Sequence, residues 1–311
     1  MASETVPLLR LIQTKGIGPR SLAKLLDRLE RRDLALQDFL ALVPEEMTAQ
    51  FDMREEQAIA LQANESTATQ LAQILEGHGI RTLSRSNPDY PTRMKGVLAD
   101  KAPPVLFVAG AIDLLQDRAV GFCGSRDASE EGLRSAEKLA RSLANEGLLV
   151  VSGHAQGVDE AAHRAALEAG GATALVLPEG ILHFRPRPSL GAFLCEDRFV
   201  VVSEFPPSLP WSVSNAMQRN RTICGLVNAL IVIEAGASGG TWEAGLEALK
   251  LGVPLFVLDF DQPMLSAPGN PLLVKKGGVP LPCTPGAAPD ASPLRRALDA
   301  EQPRARAPSL F

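Results

Sequence analysis

Cysteine is scarce in this chain of 311 residues, and Cys123, Cys195, Cys224 and Cys283 form no CxxC motif. That spacing excludes a disulfide framework and a thiolate metal cage, and marks reduced thiols set in mostly apolar runs. The four histidines stand at no metal-ligand spacing either. No apolar run reaches the ~18 residues of a membrane-crossing helix. The first residues, MASETVPLLR, lack the basic and apolar regions of a secretory leader. A cytoplasmic protein with no membrane partner, no metal and no cofactor is expected. Aromatic side chains are few, with one Tyr, two Trp and eleven Phe, so charge is a larger resource than base stacking for any nucleic-acid contact. Positive charge is not in excess: 36 Asp and Glu outnumber 31 Lys and Arg, for a net charge of −5. A globally basic nucleic-acid binder is thereby excluded, and only a local basic patch remains open.

What the chain does have is a repeated unit of apolar strand, glycine turn and helix, beginning at Ala119 and running through Gly180. Strands are predicted near 119–124, 148–152, 172–177, 199–204, 229–234 and 253–259. Runs such as LLVVS, FVVVS and ALIVIEA are continuously apolar, as expected of parallel strands covered on both faces by helices. The fold class is therefore α/β, a Rossmann-like doubly wound and mostly parallel sheet. Short strands and prolines (Pro88, Pro91, Pro103, Pro104) ahead of it predict an extension of one sheet edge. Residues 1–77 have helical periodicity and form a small all-helical, helix-hairpin-helix or SAM-like domain, broken at Gly16-Ile17-Gly18-Pro19. Exposed N–H groups of that turn could hold a phosphate, or the unit is a plain helical hairpin. Residues 78–282 make the Rossmann-like domain, and 283–311 a disordered Pro/Ala-rich tail apart from a helical turn at Leu294 to Leu298.

Four stretches carry candidate chemistry. Gly124, Ser125 and Arg126 follow the first predicted parallel strand. They give close backbone approach, then a guanidinium able to hold two phosphate oxygens, then a helix capped by Ser129. The next turn, Gly153 to Asp159, contains Gln156 and Gly157 and places Asp159 as a helix cap, with His163 in a hydrogen-bonding role near the loop. Arg219, Asn220 and Arg221 open an apolar helix. Guanidiniums at a helix N-terminus call for an anionic partner, or else for ion pairs to Glu204 or Glu234. Ser238, Gly239 and Gly240 form a phosphate cradle or a permissive turn. GxGxxG is absent from the first turn, which counts against NAD or FAD.

Taken in order, LIQTKGIGP, NPDYPTRM, PPVLFVAG, VGFCGSR, VVSGHAQGVDEAAHRAALEAGGATALVLPEG, VVSEFPP, RNRTICGL, ALIVIEAGASGG and GNPLLVKKGGV resemble the DNA-processing protein A (DprA, or Smf) family. The resemblance implies a non-enzymatic mediator that binds single-stranded DNA and loads the RecA recombinase on incoming DNA in natural transformation. It also implies a homodimer. It places the DNA pocket on Gly124, Ser125, Arg126, Arg219, Asn220 and Arg221. Departures are Gln156 where the family has an arginine, and Ala216-Met217 where it has an aromatic-proline pair. FRPRP replaces a Tyr-Pro, its Arg185 and Arg187 restoring positive charge, and Asp259 and Asp261 stand in LDFDQP. SGGTWE is similar to the phosphate loop of the related nucleotide phosphoribohydrolases. This gives an alternative enzymatic reading with Glu243 at the ribosyl bond.

Overall fold

A computed structural model describes residues 4–191, 193, 197–262 and 264–300. Six helices come first: α1 (Thr5–Gln13), α2 (Pro19–Arg31), α3 (Leu36–Leu40), α4 (Pro44–Phe51), α5 (Glu55–Ala63) and α6 (Glu65–Gly77). Then β1 (Ile80–Ser84), α7 (Thr92–Leu98) and β2 (Val105–Gly110) lead into the alternating part. That part runs β3 (Ala119–Cys123), α8 (Glu130–Asn145), β4 (Leu149–Ser152), α9 (Val158–Glu168), β5 (Thr173–Val176), α10 (Pro188–Gly191) and β6 (Phe199–Ser203). It continues with α11 (Val213–Leu226), β7 (Ala229–Val232), α12 (Gly240–Lys250), β8 (Leu255–Phe260), α13 (Asn270–Lys275), β9 (Val279–Cys283) and α14 (Ser292–Ala300).

The strands form one sheet in the order β1-β2-β6-β5-β4-β3-β7-β8-β9. β1 and β2 pair antiparallel at one edge, and β2 pairs antiparallel with β6. From β6 to β9 every pairing is parallel. The chain winds outward from β3 to β6, then returns to β7 on the other side of β3. This reversal is a topological switch point, and the crevice beyond the carboxyl ends of such strands is where open α/β sheets bind ligands.

Alternation along the strands divides the core in two. Leu106, Val108, Val151, Ala174, Val202, Leu230 and Val257 face one side, packed under α7, α11 and α12. On the other side, Val120, Phe122, Val150, Ile231 and Phe256 are covered by Leu139 and Leu143 of α8 and by Ala162 and Ala165 of α9. The remaining part of that second face, Val105, Phe107, Leu175 and Val201, is covered by the N-terminal helices through residues such as Leu8, Leu11, Phe39 and Leu75. The all-helical segment thus completes the burial of the sheet.

The C-terminal segment departs from expectation. Rather than a disordered tail from 283, β9 closes on Cys283, and α14 buries Leu294 and Leu298 against Leu281 and Cys283. Arg118 donates to the Leu298 carbonyl at 2.9 Å, and Arg295 pairs with Glu146 at 2.6 Å. The prolines of VPLPC fit because β9 is an edge strand. Residues 301–311, and Cys195, lie outside the described residues.

Candidate functional site

The turn after β3 is fixed from below by Glu234, a fully buried carboxylate at the end of β7. Ser129 donates its N–H to one carboxylate oxygen at 2.9 Å and its hydroxyl to the other. The Ser129 oxygen also accepts the Gly132 N–H at 3.0 Å, capping α8 as expected. Ser125 N–H donates to the Glu234 carbonyl at 3.0 Å, so the turns after β3 and β7 are tied together. Arg126 is left exposed at the tip. Gly157, with φ +78, packs directly on this turn: a Cβ there would stand 2.5 Å from the Ser125 carbonyl oxygen and 2.6 Å from that of Arg126.

The turn after β4 is held by side chains beneath it. His163 is buried, with Nε2 2.7 Å from the Gly153 carbonyl and Nδ1 2.6 Å from the Thr173 hydroxyl. Asp159 does not cap α9; Gly157 occupies the cap position, and the Asp159 carboxylate accepts the Ala155 N–H at 3.3 Å, closing the turn. Gly153 is required for room. A Cβ there would lie 2.5 Å from an Asp159 carboxylate oxygen and would overlap the Arg219 guanidinium.

These turns open onto a cavity of about 450 Å³ lined by Arg126, Gln156, Arg187 and Arg219, together with His154 and Glu179. Arg219 is only 9% exposed. Among the described residues, three buried nitrogens here have no hydrogen-bond partner: Nε of Arg219, Nε of Arg187 and Nε2 of His154. Arg187 donates through Nη2 to the His154 carbonyl at 3.0 Å and lies 3.8 Å from Glu160. Burial and then the Arg187 charge push the His154 imidazole down to about 4, so it is neutral near pH 7. Glu179 is pushed above the usual carboxylate range by burial. Unsatisfied guanidinium donors that have lost their water are costly, and an anion is the ligand that satisfies those of Arg219 and Arg187. Trp211, half exposed, stands at the rim.

A family profile described as DNA recombination-mediator protein A matches residues 81–282. The chain belongs to the DNA recombination-mediator protein A family. It is 34% identical to protein Smf of Escherichia coli (strain K12) over 179 residues, 57% of this chain and 48% of the relative. It is 38% identical to the DNA processing protein DprA of Streptococcus pneumoniae over 159 residues, 50% of this chain and 56% of the relative. The chain spans about half the length of these curated relatives. In structure it is similar to DNA processing protein A from Streptococcus pneumoniae (TM-score 0.72, 27% identity, 90% of this chain and 95% of that one). The fold is also shared with DNA processing protein A from Helicobacter pylori, whose structure is described for its single-stranded DNA binding mode (TM-score 0.57, 24% identity, 71% and 94%).

In this recombination-mediator family member the other expected residues lie outside the cavity. The Arg219, Asn220, Arg221 run is not at a helix start: α11 begins at Val213, where the Ser212 side chain accepts the Asn215 N–H at 3.1 Å. The helix dipole therefore does not govern these arginines, and burial does. Arg221 points to the opposite side of α11 from Arg219 and pairs with Glu247 at 3.0 Å, not with Glu204 or Glu234. Asn220 holds the neighbouring loop, its amide donating to the Gly240 carbonyl at 3.2 Å. Ser238, Gly239, Gly240 and Glu243 are exposed and do not line the cavity. Arg185 is exposed and donates to the Leu182 and Phe184 carbonyls of its own loop. Sequence reading missed His154, Glu179 and Trp211 as cavity residues. Trp211 had a signal: it supplies an aromatic just upstream of α11, where Ala216-Met217 replaces the family's aromatic-proline pair. Among the described residues no cluster of His, Cys, Asp and Glu could hold a metal, and no helix is long and apolar enough to cross a membrane.

Proposed function

We propose that this chain binds single-stranded DNA in the cavity beyond β3, β4 and β5, protecting incoming strands and loading a RecA-type recombinase on them in DNA-mediated transformation. The observation that carries the reading is Arg219, buried, with an Nε that has no partner among the described residues, at a cavity that also receives Arg126 and Arg187. Planar guanidiniums suit phosphate oxygens, and Trp211 offers one stacking face, the combination that single-strand binders use. Family membership and the single-stranded DNA binding described for the Helicobacter pylori protein support it. The protein works in the cytoplasm as a homodimer and performs no catalysis. Glu243 carries no hydrolytic step in this reading, since it does not line the cavity.

The test is fluorescence anisotropy of a labelled oligothymidine at two salt concentrations. Salt-sensitive binding by the wild type, lost in Arg126→Ala, Arg219→Ala and kept in Glu243→Gln, is the expected result. A wild type that binds nothing at low salt overturns the reading. Faster RecA filament growth on single-stranded DNA in the presence of the protein is the expected downstream result.

A further inference from the structure

Gly18 and Pro19 at the start of α2 and Arg221 take no part in the cavity, yet they line one groove elsewhere. A groove of about 1100 Å³ runs between the start of α2 and the sheet domain, lined by Arg20, Lys24, Arg85, Lys101, Arg221 and Lys250. Its carboxylates are Asp27, Asp100 and Glu204. Asp27 lies 3.8 Å from Arg85, and Arg221 and Lys250 share Glu247, at 3.0 and 3.7 Å. Arg20, Lys24 and Lys101 are exposed and have no ion-pair partner among the described residues. Arg85 keeps a buried Nε without a partner among the described residues, while its Nη2 donates to the Asp100 carbonyl at 2.8 Å. No side chain caps the N-terminus of α2, so its positive end adds to the field of these cations.

Position sets this groove beside the cavity. The cavity lies beyond the carboxyl ends of β3, β4 and β5. The groove lies beyond the carboxyl end of β6, at Glu204, and at the adjoining start of antiparallel β2, at Pro103 and Pro104. Helix α11 is the wall between them. Ala216 and Arg219 face the cavity, and Gln218, Arg221 and Thr222 face the groove.

We propose that a single strand held in the cavity crosses α11 and continues into this groove, where Arg20, Lys24 and Lys101 hold its phosphates. The N-terminal helices are then part of the binding surface as well as a cover for the sheet. Cations of Arg20 and Lys24 on one side of the groove and Lys101 on the other, unpaired among the described residues, fit a polyanionic backbone. The inference rests on single-strand binding at the cavity.

The experiment titrates the full chain with oligothymidines of increasing length. Arg20→Glu, Lys24→Glu should bind the shortest oligomers like the wild type. Long ones should bind about tenfold more weakly, with a salt slope shallower by roughly 1.4, at ~0.7 per lost phosphate contact on a single strand. Lys101→Glu, on the other wall and outside α2, should show the same length-dependent loss, and Arg20→Lys, Lys24→Arg should restore wild-type binding. Equal loss at every length, or no loss at any, overturns the groove while leaving cavity binding standing. A wild type that binds no oligomer overturns both.

Discussion

Arg219 illustrates how much at this site depends on one glycine. Its guanidinium occupies space that only a residue without a Cβ at position 153 leaves open. Gly153→Ala should therefore displace Arg219 and weaken oligothymidine binding about as much as Arg219→Ala does, each removing one phosphate contact and about 0.7 from the salt slope. Paired anisotropy titrations of the two variants check this. Glu179 sets a pH dependence. Burial raises its pKa, so as pH falls it takes up a proton earlier than an ordinary carboxylate, and one negative charge facing the DNA disappears. Binding should tighten as pH falls toward the raised pKa of Glu179, and Glu179→Gln should bind more tightly than the wild type where Glu179 is ionised and lose that arm of the profile. His154 is depressed to about 4 and stays neutral at pH values well above that. Arg126 was recognisable in sequence because a small-residue turn after an apolar strand is a local feature. The side of α11 to which Arg221 points was not, because two positions along a helix turn a side chain to the opposite face.

Among elements, α14 is where composition misled. Proline, alanine and charge read as a solvated tail, yet Leu294 and Leu298 supply a helical stripe of two that finds a complete partner surface on β9, α8 and the strands beneath. Leu298→Ala should cost about 2–5 kcal/mol, as for other buried leucines, seen as a lower urea midpoint with an unchanged slope. The β4–α9 unit should be sensitive to acid. His163 is fully enclosed and its pKa is lowered by burial, so below the ordinary histidine value of about 6.5 the unfolded chain binds a proton that the folded chain refuses. Its contribution is fully present above that value and is lost as pH falls below it. Urea midpoints at two pH values should show a smaller difference in His163→Gln than in the wild type.

For the whole molecule, the helical segment and the sheet cannot be treated as independent. Phe107, Leu175, Leu177 and Val201 are fully or almost fully buried, and their cover includes α1, α3 and α6. A chain beginning at residue 78 should expose this apolar face, bind a hydrophobic dye and associate in gel filtration, whereas the full chain should not. The negative net charge also becomes intelligible at this scale. Cations are gathered in two spaces, Arg126, Arg187 and Arg219 at the cavity and Arg20, Lys24 and Lys101 at the groove, so a chain of net charge −5 still holds local basic clusters.

By itself the sequence determined the doubly wound sheet, since continuously apolar strands separated by helices leave few other ways to cover both faces. It also determined the tight turns after β3 and β4, because the glycines and small residues that permit close approach are local in the chain. Tertiary structure alone decided which cations share a space. Arg126, Arg187 and Arg219 come from three separate connections, and the groove from α2, α11 and the entry to β2; only sheet order and the position of α11 bring them to one edge. It also decided the fate of the C-terminal segment, because the worth of two leucines depends on the surface waiting to receive them.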